Sequence, residues 1–223
     1  MCGFVGVVYN DTRSKEHLID VADRMLAQIK HRGPDSYGIW SNEQGGIVLG
    51  HQRLSIIDLS ENGNQPMQSK STRFIISYNG EVYNFKELKK ELDECNYGEW
   101  DSESDTEIIL AAIEQWGIEK AVSKFIGMFC FAIWDKEKEL LHIVRDRMGI
   151  KPVYWSIQDG NFIFGSELKS LMAFEKWNAD IDKNSLALFM KYKYVPCPAT
   201  IFKGVHQLEA ATILTFDKNR NIK

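Results

Sequence analysis

Residues 1–10 read MCGFVGVVYN: a methionine, a cysteine, then a run of apolar and β-branched residues without a charge. Such a run predicts a strand buried on both faces. The thiol in front of it is the question. At the second position a cysteine gains nothing in packing over Ala or Ser, and it is open to oxidation. Removal of Met1, which a small second residue permits, puts Cys2 at the chain terminus. A thiol ordinarily titrates at about 8.5 and an α-amine at about 7.7–8.0, so near neutral pH a free amine can take the thiol's proton. A terminal Cys2 is then a nucleophile carrying its own base. An amide nitrogen, as in the uncut chain, has no basicity to offer.

The remaining composition suits a folded enzyme. The 223 residues include 44% hydrophobic and 12% aromatic side chains, enough for one large domain or two small ones with a full core. Net charge is -4 from 27 basic and 31 acidic residues, well mixed and with no basic stripe, which argues against a nucleic-acid partner. The longest apolar run, FIGMFCFAIW, is too short for a membrane span, and no secretory signal opens the chain, so a cytoplasmic location is expected. Cys2, Cys95, Cys130 and Cys197 are far apart, with no zinc spacing; Cys130, between Phe129 and Phe131, reads as core.

Outward from the first strand, KEHLIDVADRMLAQIK spaces Leu18, Val21, Met25 and Ile29 as one face of a helix, which HRGPDSYG ends. YGIWS, GIVLGHQRLSII and RFIISY predict strands, and NFKELKKEL and TEIILAAIEQW predict helices. MFCFAIWD, ELLHIVRD, PVYWSI and NFIFGS follow at hairpin spacing; ELKSLMAF and KNSLALFMKYK are helical, and ATILTF is a last strand. The mixture predicts an α+β fold, two sheets face to face with helices outside.

Several short stretches could carry chemistry. YNGEVYN contains Asn-Gly between apolar residues, the strongest short hairpin signal. Only Val82 and Tyr83 then separate Glu81 from Asn84, which with Glu87 resembles a helix N-cap, so a returning strand would be very short. The other reading makes the Asn79 amide and the Gly80 N–H a donor pair for an oxyanion, and the residues alone leave the two equal. Arg53 lies in an otherwise apolar strand; a lone arginine there commonly snorkels, yet a guanidinium on a rigid strand also suits a carboxylate. In SDTEII, Ser104 and Glu107 form a capping-box pattern; Asp105 suits the first turn of a helix, or could hold an ammonium. SELK, residues 166–169, matches S-x-x-K without its companion motifs, so Ser166 reads as a helix cap. RDRMGIKP reads as a structural turn, and no Gly-rich phosphate loop occurs.

In this order, Cys2-Gly3, HRGPDSYGIW, HQRLSIIDLS, YNGEVYN, SDTEII, GMFCFAIWD, RDRMGIKPVYW and FGSELKSL resemble the class II glutamine amidotransferases. The wording is similar to the N-terminal glutaminase half of glutamine-hydrolysing asparagine synthetases. The resemblance spans residues 1–223 as one domain, with a core of about 1–177 and a part at 178–223 leading toward a synthetase domain. It implies an N-terminal nucleophile hydrolase fold, a four-layer αββα sandwich of two mainly antiparallel sheets. It further implies that Cys2 attacks the carboxamide of glutamine, that its α-amine serves as base, and that Asn79 and Gly80 stabilise the oxyanion. Arg53 would hold the α-carboxylate, Glu81 and Asp105 the α-ammonium, with Leu54, Ser55, Ile56 and Ile57 lining the pocket.

No cofactor or metal is implied for this step; ATP and Mg belong to the synthetase half, whose S-G-G-x-D-S loop is absent here. Glutamine, an ATP-dependent synthetase domain or subunit, and a second copy in a homodimer are the partners the resemblance suggests. The ammonia acceptor could be aspartate or a carboxylated sugar of surface polysaccharide. A non-catalytic glutamine-binding or docking module and a thiol amidase of other specificity remain as alternatives, which the intact set Cys2, Arg53, Asn79, Gly80 and Asp105 argues against. One departure stands out: QLEAATILTF has Glu209, Ala210 and Ala211 where the family has a Pro-Gly turn.

Overall fold

A computed structural model describes residues 1–217, 219 and 221–223. Along the chain run β1 (Gly3–Val8), α1 (Lys15–Ala27), β2 (Ser36–Asn42), β3 (Ile47–Arg53), β4 (Met67–Gln68) and β5 (Phe74–Val82). Then come α2 (Phe85–Glu94), α3 (Asp105–Trp116), α4 (Ile118–Lys124), β6 (Gly127–Asp135), β7 (Leu140–Arg145), β8 (Tyr154–Gln158) and β9 (Asn161–Gly165). The chain finishes with α5 (Leu168–Met172), α6 (Lys183–Tyr192), β10 (Val205–Gln207) and β11 (Ile213–Phe216).

One sheet has the order β10-β8-β9-β1-β3-β2, the other β11-β7-β6-β5-β4, and neighbouring strands in both are antiparallel. Side chains alternate across a strand, which explains why β1 carries no polar face. Phe4 points at the second sheet, into a core with Leu49, Ile75, Trp134, Phe162 and Phe216. Val5 and Val7 point the other way, onto Leu18, Met25 and Leu26 of α1 and Leu171 of α5. On the far side of the second sheet, Ile76 and Phe131 pack against Leu88 of α2, Ile109 of α3 and Ala121 of α4. Three apolar layers between four sets of elements make the expected αββα sandwich.

Several local readings change. The Asn-Gly pair is not a turn: β5 runs straight through it, with Asn79 opposite Cys130 and Gly80 opposite Phe129 of β6. Long-range pairing outweighs the local turn signal there. Arg53 ends its strand, and residues 54–60 form a loop. Ser104 does cap α3, accepting from Thr106 N, but Glu107 reaches back to the Asp101 and Ser102 N–H groups, so the reciprocal box does not form. Ser166 caps nothing; its hydroxyl accepts from Phe4 N at 3.0 Å and anchors β1. Asn84 precedes α2 without a capping bond, because its amide ties instead to Lys124 O and Ile126 N.

RDRMGIKP is the structural turn expected. The Asp146 carboxylate accepts from the N–H groups of Met148, Ile150 and Lys151, and Arg145 donates to Gly149 O and Lys151 O. The departure at QLEAATILTF leaves a mark: Ala211 sits at φ +57°, a left-handed conformation suited to glycine.

Candidate active site

The residues to which the resemblance gives a role come to one place. Cys2, Arg53 through Ile57, Asn79 through Glu81, and Asp105 all line a single cavity of about 120 Å³. Cys2 precedes β1, and Arg53 ends the adjacent β3 of the same sheet. Asn79, Gly80 and Glu81 lie near the end of β5 in the facing sheet, and Asp105 opens α3.

The Cys2 thiol is held by backbone. Its Sγ lies 3.5 Å from Leu54 O, to which it donates, and 3.4 Å from Leu54 N, from which it accepts. Burial pushes this thiol's pKa up, against the Leu54 N–H, the chain terminus and Arg53, which pull it down. A nucleophile in this setting needs a base beside it.

Arg53 is buried and lines the cavity. Its guanidinium donates to Ser60 O at 2.8 Å, to Asn64 Oδ1 at 2.9 Å and to Asp58 O. All three acceptors are neutral, and among the described residues no carboxylate pairs with it. A fixed, unneutralised guanidinium is suited to a carboxylate ligand.

Two further donors belong to the lining, on Asn79 and Gly80. Phe129 uses its backbone N–H and C=O toward Asp146, on the β7 side, so its pairing with Gly80 is of the non-hydrogen-bonded kind. The Gly80 N–H therefore points away from β6, to the free edge of β5. The Asn79 side-chain Nδ2 is buried, with no hydrogen-bond partner among the described residues. An unpaired buried donor is costly unless something else uses it. Position 80 must be glycine, since a Cβ there would come 2.2 Å from Met128 O.

Asp105 belongs to the same lining. Its Oδ2 accepts from Tyr78 OH at 2.6 Å and from Val82 N at 2.9 Å. Burial raises its pKa, and nearby Glu81 adds to the rise. The lining thus carries a guanidinium without a carboxylate partner together with two acidic groups, Glu81 and Asp105, charges suited to the carboxylate and ammonium of an α-amino acid. Among the described residues no group of three His, Cys, Asp or Glu could hold a metal ion.

Sequence reasoning missed supports that only the fold assembles. Arg32 donates from Nε to Cys2 O at 2.9 Å and from Nη1 to Glu167 at 2.9 Å. Asp35 accepts from Ser55 N at 2.8 Å. A Cβ on Gly33 would lie 2.5 Å from Arg53 N. The stretch HRGPD, which reads locally as a helix breaker, thus holds Cys2 and the loop after Arg53 in place. Gln65, Tyr78, Met128 and Lys151 also line the cavity; the last three lie in motifs of the resemblance without a role assigned to them, and Gln65 lies in none.

A family model described as a glutamine amidotransferase domain matches residues 1–223. An asparagine synthetase [glutamine-hydrolyzing] 1 of Bacillus subtilis is 39% identical over 226 residues, covering 100% of this chain and 34% of its own length. A putative asparagine synthetase [glutamine-hydrolyzing] 2 of Methanocaldococcus jannaschii is 37% identical over 238 residues, covering 99% of this chain and 45% of its own. The chain therefore spans less than half the length of these relatives. Among solved structures, the glutamine phosphoribosylpyrophosphate amidotransferase of B. subtilis superposes with a TM-score of 0.73 at 17% identity, covering 100% of this chain and 48% of that one. That likeness carries the fold alone, a sandwich of two antiparallel sheets between helices. Matched from end to end by the family model, the chain belongs to the glutamine amidotransferase domain family.

Proposed function

We propose that the chain hydrolyses glutamine to glutamate and ammonia through a thioester on Cys2. The observation that carries this is the shared cavity, whose lining brings together the Cys2 thiol, the Asn79 and Gly80 donors, the Arg53 guanidinium and the Glu81 and Asp105 carboxylates. Here Met1 still acylates the Cys2 nitrogen, so its removal is the first step of the reading. The freed amine takes the thiol proton while Sγ attacks the side-chain carbonyl carbon of glutamine. Negative charge moves to the carbonyl oxygen, where Asn79 Nδ2 and Gly80 N–H receive it. The amine then gives its proton to the departing nitrogen, the C–N bond breaks, and ammonia leaves. Water attacks the thioester in turn, with the same amine as base, and releases glutamate. Arg53 holds the α-carboxylate and Asp105 with Glu81 the α-ammonium throughout.

The ammonia passes, in this reading, to an amide-forming synthetase domain or subunit that uses ATP and Mg. The names of the similar proteins favour aspartate as acceptor. No described helix is long and apolar enough to cross a membrane, and we place the protein in the cytoplasm, alone or as a homodimer. The test is the intact mass of the purified chain before and after a diazo-ketone analogue of glutamine. Sγ–carbon bond formation with loss of dinitrogen should add one adduct to a chain lacking the methionine mass, and none to Cys2→Ala. A mature chain that takes no adduct overturns the reading.

A further inference from the structure

β5 lies at the free edge of its sheet beyond Ile76, because its neighbour β4 pairs only with Ile75 and Ile76. From there on, the outward backbone groups of alternate residues must find other partners. Tyr78 N donates to Gln65 Oε1 at 2.7 Å, and Tyr78 O accepts from His51 Nε2 at 2.8 Å. Val82 N donates to Asp105 Oδ2 at 2.9 Å. Between these tied positions lies Gly80, whose N–H faces the cavity. We propose that His51 and Gln65 are positioning residues, clamping the Tyr78 peptide groups so that the Asn79 amide and Gly80 N–H hold the orientation an oxyanion needs. The proposal rests on the assignment of Asn79 and Gly80 as oxyanion donors.

Three elements meet in this clamp. His51 is fully buried on β3, in the opposite sheet, two residues before Arg53 and on the same face of the strand. Its bond to Tyr78 therefore couples the strand holding the carboxylate-binding arginine to the strand holding the oxyanion donors. Gln65 uses its other end on α3, donating from Nε2 to Thr106 Oγ1 at 3.1 Å, next to Asp105. A carbonyl only accepts, so His51 must carry its proton on Nε2. Burial, aided by the positive charge of Arg53, pushes the imidazole's pKa down to about 4, so this tautomer stays neutral through the physiological range. A neutral imidazole locked on a backbone carbonyl is suited to holding geometry rather than to moving protons. Small errors of placement are expensive in such a site, because donors act only where charge develops.

The test is steady-state hydrolysis of glutamine by the full chain, with thermal unfolding and Cys2 labelling run on each variant. His51→Leu removes the donor; His51→Gln returns an N–H at similar reach. The leucine variant should lose about 10–100-fold in kcat, less than the full loss of a direct oxyanion donor. Its KM should stay within about threefold of the parent, since ground-state binding is not the clamp's task. The glutamine variant should recover most of the lost rate. Should His51→Leu not fold, Gln65→Leu against Gln65→Glu repeats the comparison, because a glutamate still accepts from Tyr78 N. Parental kcat in the leucine variants, or no recovery in the conservative ones, overturns the clamp. Asn79→Ala, run in parallel, separates the two levels: if it is unimpaired, the oxyanion assignment itself fails and the clamp with it. If it is slow while the His51 and Gln65 variants are not, only the clamp fails.

Discussion

Gly63 lies flat against the guanidinium of Arg53: a Cβ at position 63 would come 2.3 Å from Arg53 Nη2. The loop that supplies the three acceptors for Arg53 thus also depends on the absence of a side chain. Gly63→Ala would push the guanidinium, the flexible partner, rather than the fold. We expect KM for glutamine to rise about tenfold, a loss of about 1.4 kcal/mol, with an unfolding midpoint close to the parent's. Arg53→Ala should act in the same direction and more strongly, on KM rather than kcat, because the α-carboxylate does not change in the reaction. Parental KM in Arg53→Ala would remove it from the carboxylate site.

Asn79→Ala should slow turnover by roughly 10²–10³ while leaving the fold and much of the glutamine affinity intact. The Nδ2 group has no partner among the described residues, so its removal breaks no internal bond of its own. Stopped-assay ammonia release against glutamine concentration gives kcat and KM separately.

Asp105→Asn should trade binding for stability. Burial raises the Asp105 pKa, so as pH climbs from the ordinary carboxylate range the unfolded chain loses this proton first. Stability from this group therefore falls with rising pH between its unfolded and its raised folded value. Asparagine never ionises, and one oxygen can still accept from both Tyr78 OH and Val82 N, since both converge on Oδ2. The variant should unfold at a higher temperature than the parent at pH 7, with the gap closing below the carboxylate range. Its glutamine KM should rise about tenfold or more, from loss of a charge-assisted contact to the ammonium.

Ala211→Gly should stabilise the protein by about 1 kcal/mol, the cost of a left-handed alanine less the extra freedom glycine brings to the unfolded chain. The Ala211 N–H donates to Asp146 O at 2.9 Å, so this conformation is tied to the turn before β8. Denaturant unfolding of both chains measures it, and glutamine hydrolysis should be unchanged.

The layered architecture was legible because it is written in periodicity. Residues 4–8 have no polar face, which demands cover on both sides, and Leu18, Val21 and Met25 form the stripe that provides it. The candidate site was legible where a residue type is rare for its setting: a cysteine at the second position, an arginine within an apolar strand. Asn79 and Gly80 were ambiguous, because a turn signal is local while the pairing that overrules it comes from β6, some fifty residues on.

What remained hidden depends on partners distant in sequence. Arg32 on Cys2, Ser166 on Phe4 and His51 on Tyr78 join residues that no periodicity relates. The sequence by itself determined which faces are apolar and which reactive groups exist, since both follow from side-chain chemistry and spacing. Only the tertiary structure decided which backbone edge is left free, which buried donor goes unpaired and which charge goes unneutralised. Those depend on where unrelated strands end beside one another.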